Sequence, residues 1–184
     1  KNCSGLLSVT IPNQVNTLSN ELFSGCSSLN SVTINNNVKE IGSRVFENCS
    51  SLKSISIPEG VTAINNDTFS YCYELFSVSL PKTIKTIGEN AFQYCKSLTS
   101  LKIPNTVIEI GERAFAGCNM LASFELPDSI TSINSSLFEN CSELISVIMP
   151  NGVLDIGYKA FSGCNKLSSV VLPNNLNSIG AYSF

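Results

Sequence analysis

The feature that most constrains this chain is a period of 23 residues that runs from one end to the other. Cys recurs at this interval, at Cys3, Cys26, Cys49, Cys72, Cys95, Cys118, Cys141 and Cys164. Phe recurs at the same interval from Phe23 to Phe184. A fixed period of roughly 20 to 50 residues is typical of solenoids, in which each copy packs only against its neighbours. The sequence therefore predicts one continuous stack of repeats instead of one or two globular domains.

Each copy contains a Leu-x-x-Val-x-Ile pattern that indicates a short strand. We number the copies as rungs 1 to 8 from the recurring Leu, at Leu6, Leu29, Leu52, Leu75, Leu98, Leu121, Leu144 and Leu167. The fourth and sixth positions are apolar and mostly β-branched, and residues two apart share one face of a strand. Pro follows in every rung except rung 2, which has Asn35. Because Pro cannot donate to a ladder, it predicts the end of each strand, and we expect strands of about four to six residues.

A return limb follows each strand and carries two more apolar columns, exemplified by Val107 and Ile110 in rung 5. The next position is Ser19 in rung 1 and Gly or Asn in the other rungs, at Gly42, Asn65, Gly88, Gly111, Asn134, Gly157 and Gly180. Because these two residue types most readily adopt the left-handed conformation, we expect positive φ at this position. The copy closes with Phe and Cys three residues apart, which predicts a helical or 3₁₀ turn with both side chains inward.

The cysteines call for a decision between disulfides and free thiols. Eight Cys in an extracellular protein would usually suggest four disulfides. Here all of them occupy one structural position, so their side chains run parallel along a column and do not converge as a disulfide requires. Free Cys behaves as a small buried hydrophobe, and we therefore expect a buried column of reduced thiols. There is no His and no Cys-x-x-Cys pair, so no catalytic, cofactor-binding or metal-binding residue is assigned.

Composition narrows the choice of partners. Hydrophobic residues make up 43% of the chain and charged residues 14%, and the net charge is -3. No basic stripe is present, so nucleic acid and anionic membranes are poor candidates as partners. No apolar run reaches the roughly 18 residues of a membrane helix, so this segment is not expected to insert directly into a membrane.

The repeat as a whole resembles a known family. Rung 5 and its flanks show the pattern most completely, in the segment Phe92-Gln-Tyr-Cys95-Lys-Ser-Leu98-Thr-Ser-Leu101-Lys-Ile103-Pro104-Asn-Thr-Val107-Ile-Glu-Ile110-Gly111. This pattern is similar to the BspA-like, or treponemal-type, leucine-rich repeat, and the similarity covers all 184 residues. The resemblance implies a leucine-rich-repeat solenoid, a curved right-handed stack of eight rungs. Its concave face would carry a short-stranded parallel β-sheet, and its return limb irregular or 3₁₀ turns.

The same resemblance carries expectations about function. Members of this class are typically surface or secreted proteins that attach to host proteins, host cells or other microbes, and no catalytic residues belong to the repeat. We expect residues 1–184 to form a single leucine-rich-repeat domain of eight 23-residue repeats. Solenoids need polar caps at their ends, and neither end shows one, so we also expect a fragment of a longer solenoid.

Outward strand positions are the candidate partner-binding residues. The third position is always Ser, whereas the second and fifth positions vary from rung to rung. The variable residues that form the candidate site are Lys53, Phe76, Lys102, Glu125, Ile145, Ile148 and Val171. Clustered exposed apolar groups mark interaction surfaces, but they could equally pack against a neighbouring segment or a second copy, so self-association stays open. Lys102 and Glu125, on adjacent rungs, could also pair with each other, at a gain of only about 0–1 kcal/mol.

Two classes of function follow from these features. The first is a non-enzymatic protein-binding module of a cell-surface or secreted adhesin, which attaches to a host or microbial surface protein. The alternative is an intracellular leucine-rich-repeat scaffold, in which free thiols would be unremarkable. If the concave face is not the binding surface, the loops that carry Glu59, Lys82 and Asp128 are the next candidates.

Overall fold

A computed structural model describes all of residues 1–184 and shows a solenoid of short parallel strands with about 7 turns. The strands are, in chain order, β1 (Ser8–Thr10), β2 (Thr17–Leu18), β3 (Ser31–Thr33), β4 (Glu40–Ile41), β5 (Ser54–Ser56), β6 (Ala63–Ile64), β7 (Ser77–Ser79), β8 (Thr86–Ile87), β9 (Glu109–Ile110), β10 (Ser123–Glu125), β11 (Ser132–Ile133), β12 (Ser146–Ile148), β13 (Asp155–Ile156) and β14 (Ser178–Ile179). The solenoid predicted from the period is therefore confirmed.

The three-residue strands form the concave sheet. Strands β1, β3, β5 and β7 pair in parallel in that order, and β10 pairs with β12. The register is offset by one repeat, so that Ser54 lies opposite Ser77. Each strand is shorter than the expected four to six residues, because a turn precedes it and another turn follows it. In rung 3 the Leu52 N–H donates to the Cys49 carbonyl at 3.0 Å, and Pro58 ends the segment.

The return limb carries a second ladder that the sequence pattern does not reveal. Its two-residue strands pair in parallel as β2-β4, β6-β8-β9 and β11-β13-β14. The turn between Phe and Cys has a hydrogen bond of the expected span, since the Cys49 N–H donates to the carbonyl of Phe46, three residues earlier, at 3.0 Å. It is a β-turn and not the expected helical or 3₁₀ turn, because Asn48 within it has a φ of 58°. Between rungs 4 and 5, where the concave strands do not pair, β8 and β9 of the second ladder do.

A single apolar core runs through the whole stack. Its largest members are the Phe side chains from Phe46 to Phe161, which are almost completely buried. The rings of neighbouring rungs stack with centroids 5.3 to 5.8 Å apart along the column from Phe23 to Phe184. Because each rung contributes the same side chains to this column, no rung has a core of its own and stability comes from stacking.

The Cys column is reduced, as expected, and each buried thiol from Cys49 onward has a hydrogen-bond partner. All eight cysteines are free; Cys3 is exposed and Cys164 is half-buried. From Cys49 onward each Sγ donates to the carbonyl of the Phe in the preceding rung, at 3.1 to 3.2 Å. Burial raises the pKa of the Cys118 thiol to about 12, so this thiol stays protonated at neutral pH.

The prediction of positive φ at the Gly and Asn position is wrong. Positive φ occurs instead two residues later, at Glu21, Arg44, Asp67, Asn90, Arg113, Ser136, Lys159 and Tyr182. It also occurs just before each Cys, at Asn2, Gly25, Asn48, Tyr71, Tyr94, Gly117, Asn140 and Gly163. What selects Gly at the expected position is close approach of the backbone, because a Cβ on Gly111 would lie 2.6 Å from the Glu89 nitrogen one rung earlier.

Candidate partner-binding surface

The concave face is defined here as the outward side chains at the second, third and fifth positions of each Leu-x-x-Val-x-Ile unit. In strand β12 the outer residues Ser146 and Ile148 are exposed while Val147 between them is buried, and β5 and β10 show the same pattern. All seven candidate residues are exposed on this face: Lys53, Phe76, Lys102, Glu125, Ile145, Ile148 and Val171. For Glu125 and Ile148, which lie in β10 and β12, this exposure follows from strand alternation. That the seven residues bind a partner stays a prediction.

A column of exposed Ser runs along the middle of the concave face. It comprises Ser8, Ser31, Ser54, Ser77, Ser100, Ser123, Ser146 and Ser169. In the paired strands each Ser lies directly opposite the Ser of the next rung, as Ser123 lies opposite Ser146. These small side chains are the same in every rung. The rungs differ on this face at the second and fifth positions, on either side of the Ser column.

The C-terminal part of this face carries an apolar patch, defined as Ile145, Ile148 and Val171. Their exposed fractions are 53%, 62% and 86%. Ile148 and Val171 also line an open cleft of about 270 Å³ between rungs 7 and 8, together with Met149 and Leu172. Exposed apolar groups that lie together on one surface are characteristic of interaction sites.

Charged side chains on the concave face have no ionic partners. Lys102 and Glu125 both line an open cleft of about 570 Å³ between rungs 5 and 6, yet they form no ion pair. The ion pairs of the structure lie on the turns instead, at Lys1–Glu21, Glu21–Arg44, Arg44–Asp67, Glu139–Lys159 and Glu143–Lys166. The charges of Lys102 and Glu125 are thus both available to a partner.

Lys53 and Phe76 form a third, separate group. They occupy the same position on adjacent rungs, and the Phe76 N–H donates to the Lys53 carbonyl at 3.0 Å. Thr99 and Ala122 fill this position in the two rungs between Phe76 and Ile145. The structure therefore brings the candidate residues together in small neighbouring groups and does not gather all of them into one site.

The strands of the concave ladder do not pair between rungs 4 and 5, between rungs 5 and 6, or between rungs 7 and 8. The interruption between rungs 4 and 5 is the first along the chain. No backbone hydrogen bond joins residues 76–80 to residues 99–103, and rung 5 has no strand on this face. The return limb continues unbroken, with the Ile108 N–H donating to the Lys85 carbonyl at 2.9 Å. An open cleft of about 590 Å³ occupies the interruption, and Lys82 and Lys102 are both among its lining residues.

Sequence reasoning missed a cluster of tyrosines on the turns. Tyr71 and Tyr94 stack with ring centroids 5.1 Å apart, and Tyr73 meets Tyr71 edge-on at 6.1 Å. The Lys96 ammonium lies 4.7 Å from the centre of the Tyr73 ring. The available signal was the presence of Tyr immediately before Cys95 and on both sides of Cys72. The contacts of these rings are with one another and with Lys96. None of these residues is at the second, third or fifth position that defines the concave face.

Two further features were sought in the structure, a cluster of metal-ligating side chains and a membrane-spanning helix. No group of three or more His, Cys, Asp or Glu side chains could hold a metal ion. The structure contains no helix of the length and apolarity needed to span a membrane.

Comparison with known families identifies the repeat. A family model described as the BspA type leucine rich repeat region matches residues 1–99 and 85–184, with 6 copies. The chain belongs to the BspA-type leucine-rich repeat family. Repeats of the leucine-rich class build extended surfaces on which other proteins bind. No curated protein matches the sequence of this BspA-type chain.

Solved structures of bacterial leucine-rich repeat proteins show the same fold. The chain is 31% identical to a leucine-rich repeat protein of T. pallidum, with a TM-score of 0.82 over 89% of this chain and 78% of that one. It is 29% identical to a leucine-rich repeat protein of Bacteroides ovatus, with a TM-score of 0.74 over 95% of this chain and 60% of that one. A leucine rich cell surface protein of Faecalibacterium prausnitzii is 25% identical, with a TM-score of 0.63 over 97% of this chain and 64% of that one.

Proposed function

We propose that this chain is a non-enzymatic protein-binding module of a cell-surface or secreted protein, and that it mediates attachment to host proteins or host cells. The observation that carries the proposal is the apolar patch of Ile145, Ile148 and Val171, exposed beside the column of Ser side chains on the concave face. Membership of the BspA-type family supports a binding role. The similar F. prausnitzii structure, itself a leucine rich cell surface protein, supports the surface location.

The patch lies outside the buried core, which is compatible with a role in binding. None of Ile145, Ile148 and Val171 belongs to the buried apolar cluster. In the last rung, however, the inward residues Leu172 and Ile179 are themselves 40% and 50% exposed. A partner that covered the patch would gain roughly 1.5–3 kcal/mol for each side chain fully buried. The net charge of -3 produces no strong field that would favour a polyanion instead.

Binding assays with matched surface variants test the proposal. The purified chain is applied to a panel of immobilised extracellular matrix proteins and to cultured epithelial cells. We expect Ile148→Ser and Val171→Ser each to weaken binding roughly tenfold, which corresponds to about 1.4 kcal/mol. Ile108→Ser is the matched control, because Ile108 is 62% exposed, as Ile148 is, but lies on the return limb.

The outcome separates this surface from the alternatives. If the parent binds and both variants bind as tightly as the parent, the concave C-terminal patch is not the binding surface. The loops with Glu59, Lys82 and Asp128 would then be mutated next. If the parent binds no member of the panel and no cell, the attachment role itself fails.

A second candidate is an intracellular scaffold for protein–protein interaction. The observation that favours it is the column of reduced cysteines, because disulfides are rare in reducing compartments. Protease treatment of intact cells that express the native protein distinguishes the two. Loss of the repeat from intact cells supports the surface location, and full protection supports the scaffold.

A further inference from the structure

On the concave face the strands do not pair between rungs 4 and 5, and they also do not pair between rungs 5 and 6 or between rungs 7 and 8. In rung 3 the Ile57 N–H donates to the Ser79 carbonyl of the next rung at 2.9 Å. The equivalent Leu80 N–H in rung 4 makes no such bond to Lys102, and rung 5 is not paired to rung 4 on this face. Open clefts lie between the rungs at these unpaired junctions, and the cleft between rungs 4 and 5 has a volume of about 590 Å³.

The lining of this cleft is chemically specific. Val78, Leu80 and Ile103 supply apolar walls, while Lys82 and Lys102 supply two cations. Neither lysine forms an ion pair. A group that combines a hydrocarbon portion with a carboxylate, such as an Asp or Glu side chain, matches both parts of this lining.

Equivalent clefts along the same edge differ in charge. The cleft between rungs 5 and 6 is lined by Lys102 and Glu125, so it carries one positive and one negative charge. The cleft between rungs 7 and 8 is lined by Ile148, Val171 and other residues without charge. Two cations occur together only between rungs 4 and 5, so this cleft alone is selective for an anion.

We infer that the cleft between rungs 4 and 5 binds an acidic segment of the protein partner. The segment is extended and runs along the stack across the rungs, and its Asp or Glu carboxylate lies between Lys82 and Lys102. This inference rests on the proposed function and names the class of partner: a protein with an exposed acidic, extended stretch.

The position of the apolar patch refines the description of that stretch. Three rungs separate the cationic cleft from the apolar cleft of Ile148 and Val171, which is about 14 Å at roughly 4.8 Å per parallel strand. An extended chain covers about 3.3 Å per residue, so about four residues bridge this distance. The partner segment therefore carries an acidic residue and an apolar residue about four positions apart.

Selection from a random peptide library displayed on phage tests this inference directly. The selected peptides are synthesised with a fluorescent label, and their affinities are measured by anisotropy for the parent and for the Lys82→Ser, Lys102→Ser and doubly substituted variants. Lys85→Ser is the matched control, because Lys85 is exposed in the same rung as Lys82, has no ion pair and lies on the return limb. It changes the net charge by the same amount as either single variant.

We expect the selected peptides to be rich in Asp and Glu. The double variant should bind them roughly tenfold more weakly than the parent, and Lys85→Ser should bind them as tightly as the parent. A higher salt concentration should also weaken the binding of these peptides, since the exposed lysines are screened by salt. Peptides without acidic enrichment, or peptides bound equally by the double variant, would overturn the inference. If Ile148→Ser nevertheless lowers the affinity for such peptides, the proposed binding function of the concave face survives. If no peptide is selected, the inference of an acidic segment fails, and the proposed function is then tested by the panel assay alone.

Discussion

The side-chain amide of Asn65 donates a hydrogen bond to the carbonyl of Ile41, one rung earlier, at 2.7 Å. In the rungs with Gly at this position the backbone N–H makes the same bond, as Gly88 does to Ile64 at 2.7 Å. Asn134 repeats the side-chain version at 2.6 Å. Gly and Asn therefore exchange here because each can satisfy the carbonyl of the preceding rung, one with its main chain and the other with its side chain.

This relationship predicts unequal effects of two substitutions at one position. Asn65→Ala should lower the free energy of unfolding by roughly 1–3 kcal/mol, because the Ile41 carbonyl loses its donor. Asn65→Gly should cost clearly less, because the backbone can then close in and donate as it does at Gly88. Urea unfolding of both variants measures the difference. Equal losses would show that the amide is not replaced by the main chain.

Close backbone approach predicts a sharp contrast between two glycines. Gly111→Ala should destabilise the protein by roughly 1–3 kcal/mol, because the new Cβ would lie 2.6 Å from the Glu89 nitrogen. Gly152→Ala is the control, since its Cβ would meet nothing closer than 3.7 Å and its φ is not positive. We expect Gly152→Ala to be neutral or to stabilise by up to about 1 kcal/mol, through the unfolded chain. Thermal unfolding of the two variants side by side gives the answer.

The Phe column predicts that the cost of truncation depends on position. Phe92 is fully buried and stacks on Phe69 and Phe115 with centroids 5.3 and 5.5 Å away. Phe92→Ala should therefore cost roughly 3–5 kcal/mol. Phe184 stacks on one side only and is 59% exposed, so Phe184→Ala should cost much less. Similar losses in denaturant unfolding would contradict the view that stacking on both sides stabilises the column.

Burial of the thiols predicts that stability falls in alkaline solution. The pKa of Cys118 rises from 9.0 to about 12 in the folded state because burial disfavours the thiolate. Below pH 9 the thiol is protonated in both states, so its contribution is fully present. Between pH 9 and 12 only the unfolded chain loses the proton, so stability falls by about 1.4 kcal/mol per pH unit for this thiol. Unfolding measured from about pH 7 to about pH 11 should give a shallower slope for Cys118→Ala than for the parent once the pH exceeds the ordinary thiol pKa of 9.0.

The same burial predicts which cysteines can be modified. In the native protein at about pH 8, iodoacetamide should label Cys3 readily, since it is the exposed member of the column. Cys72, Cys95 and Cys141 should resist labelling, because burial raises the pKa of each thiol and excludes the reagent. Denaturation without reductant should release all eight for reaction. Peptide mass spectrometry identifies the labelled residues, and failure to label the denatured thiols would mean that they are oxidised.

Much of the fold was predictable from sequence because neighbouring rungs repeat the same contacts. The recurrence of Cys72 and Phe92 with their equivalents every 23 residues identified the stack, the inward columns and the reduced thiols. Strand alternation likewise placed Ile148 and Val171 on the exposed face. These features depend on which residues lie on the same side of a rung, and spacing along the chain determines that.

What only the tertiary structure decided is how closely one rung approaches the next. Spacing alone suggested a left-handed backbone at Gly111, whereas the structure shows a main-chain approach that leaves no room for a Cβ. Spacing also could not show that the concave ladder opens between rungs 4 and 5, or that Lys82 and Lys102 then line one cleft. The period states which residues are neighbours, but distances between rungs arise from packing and backbone hydrogen bonding in three dimensions, and those distances create the candidate binding site.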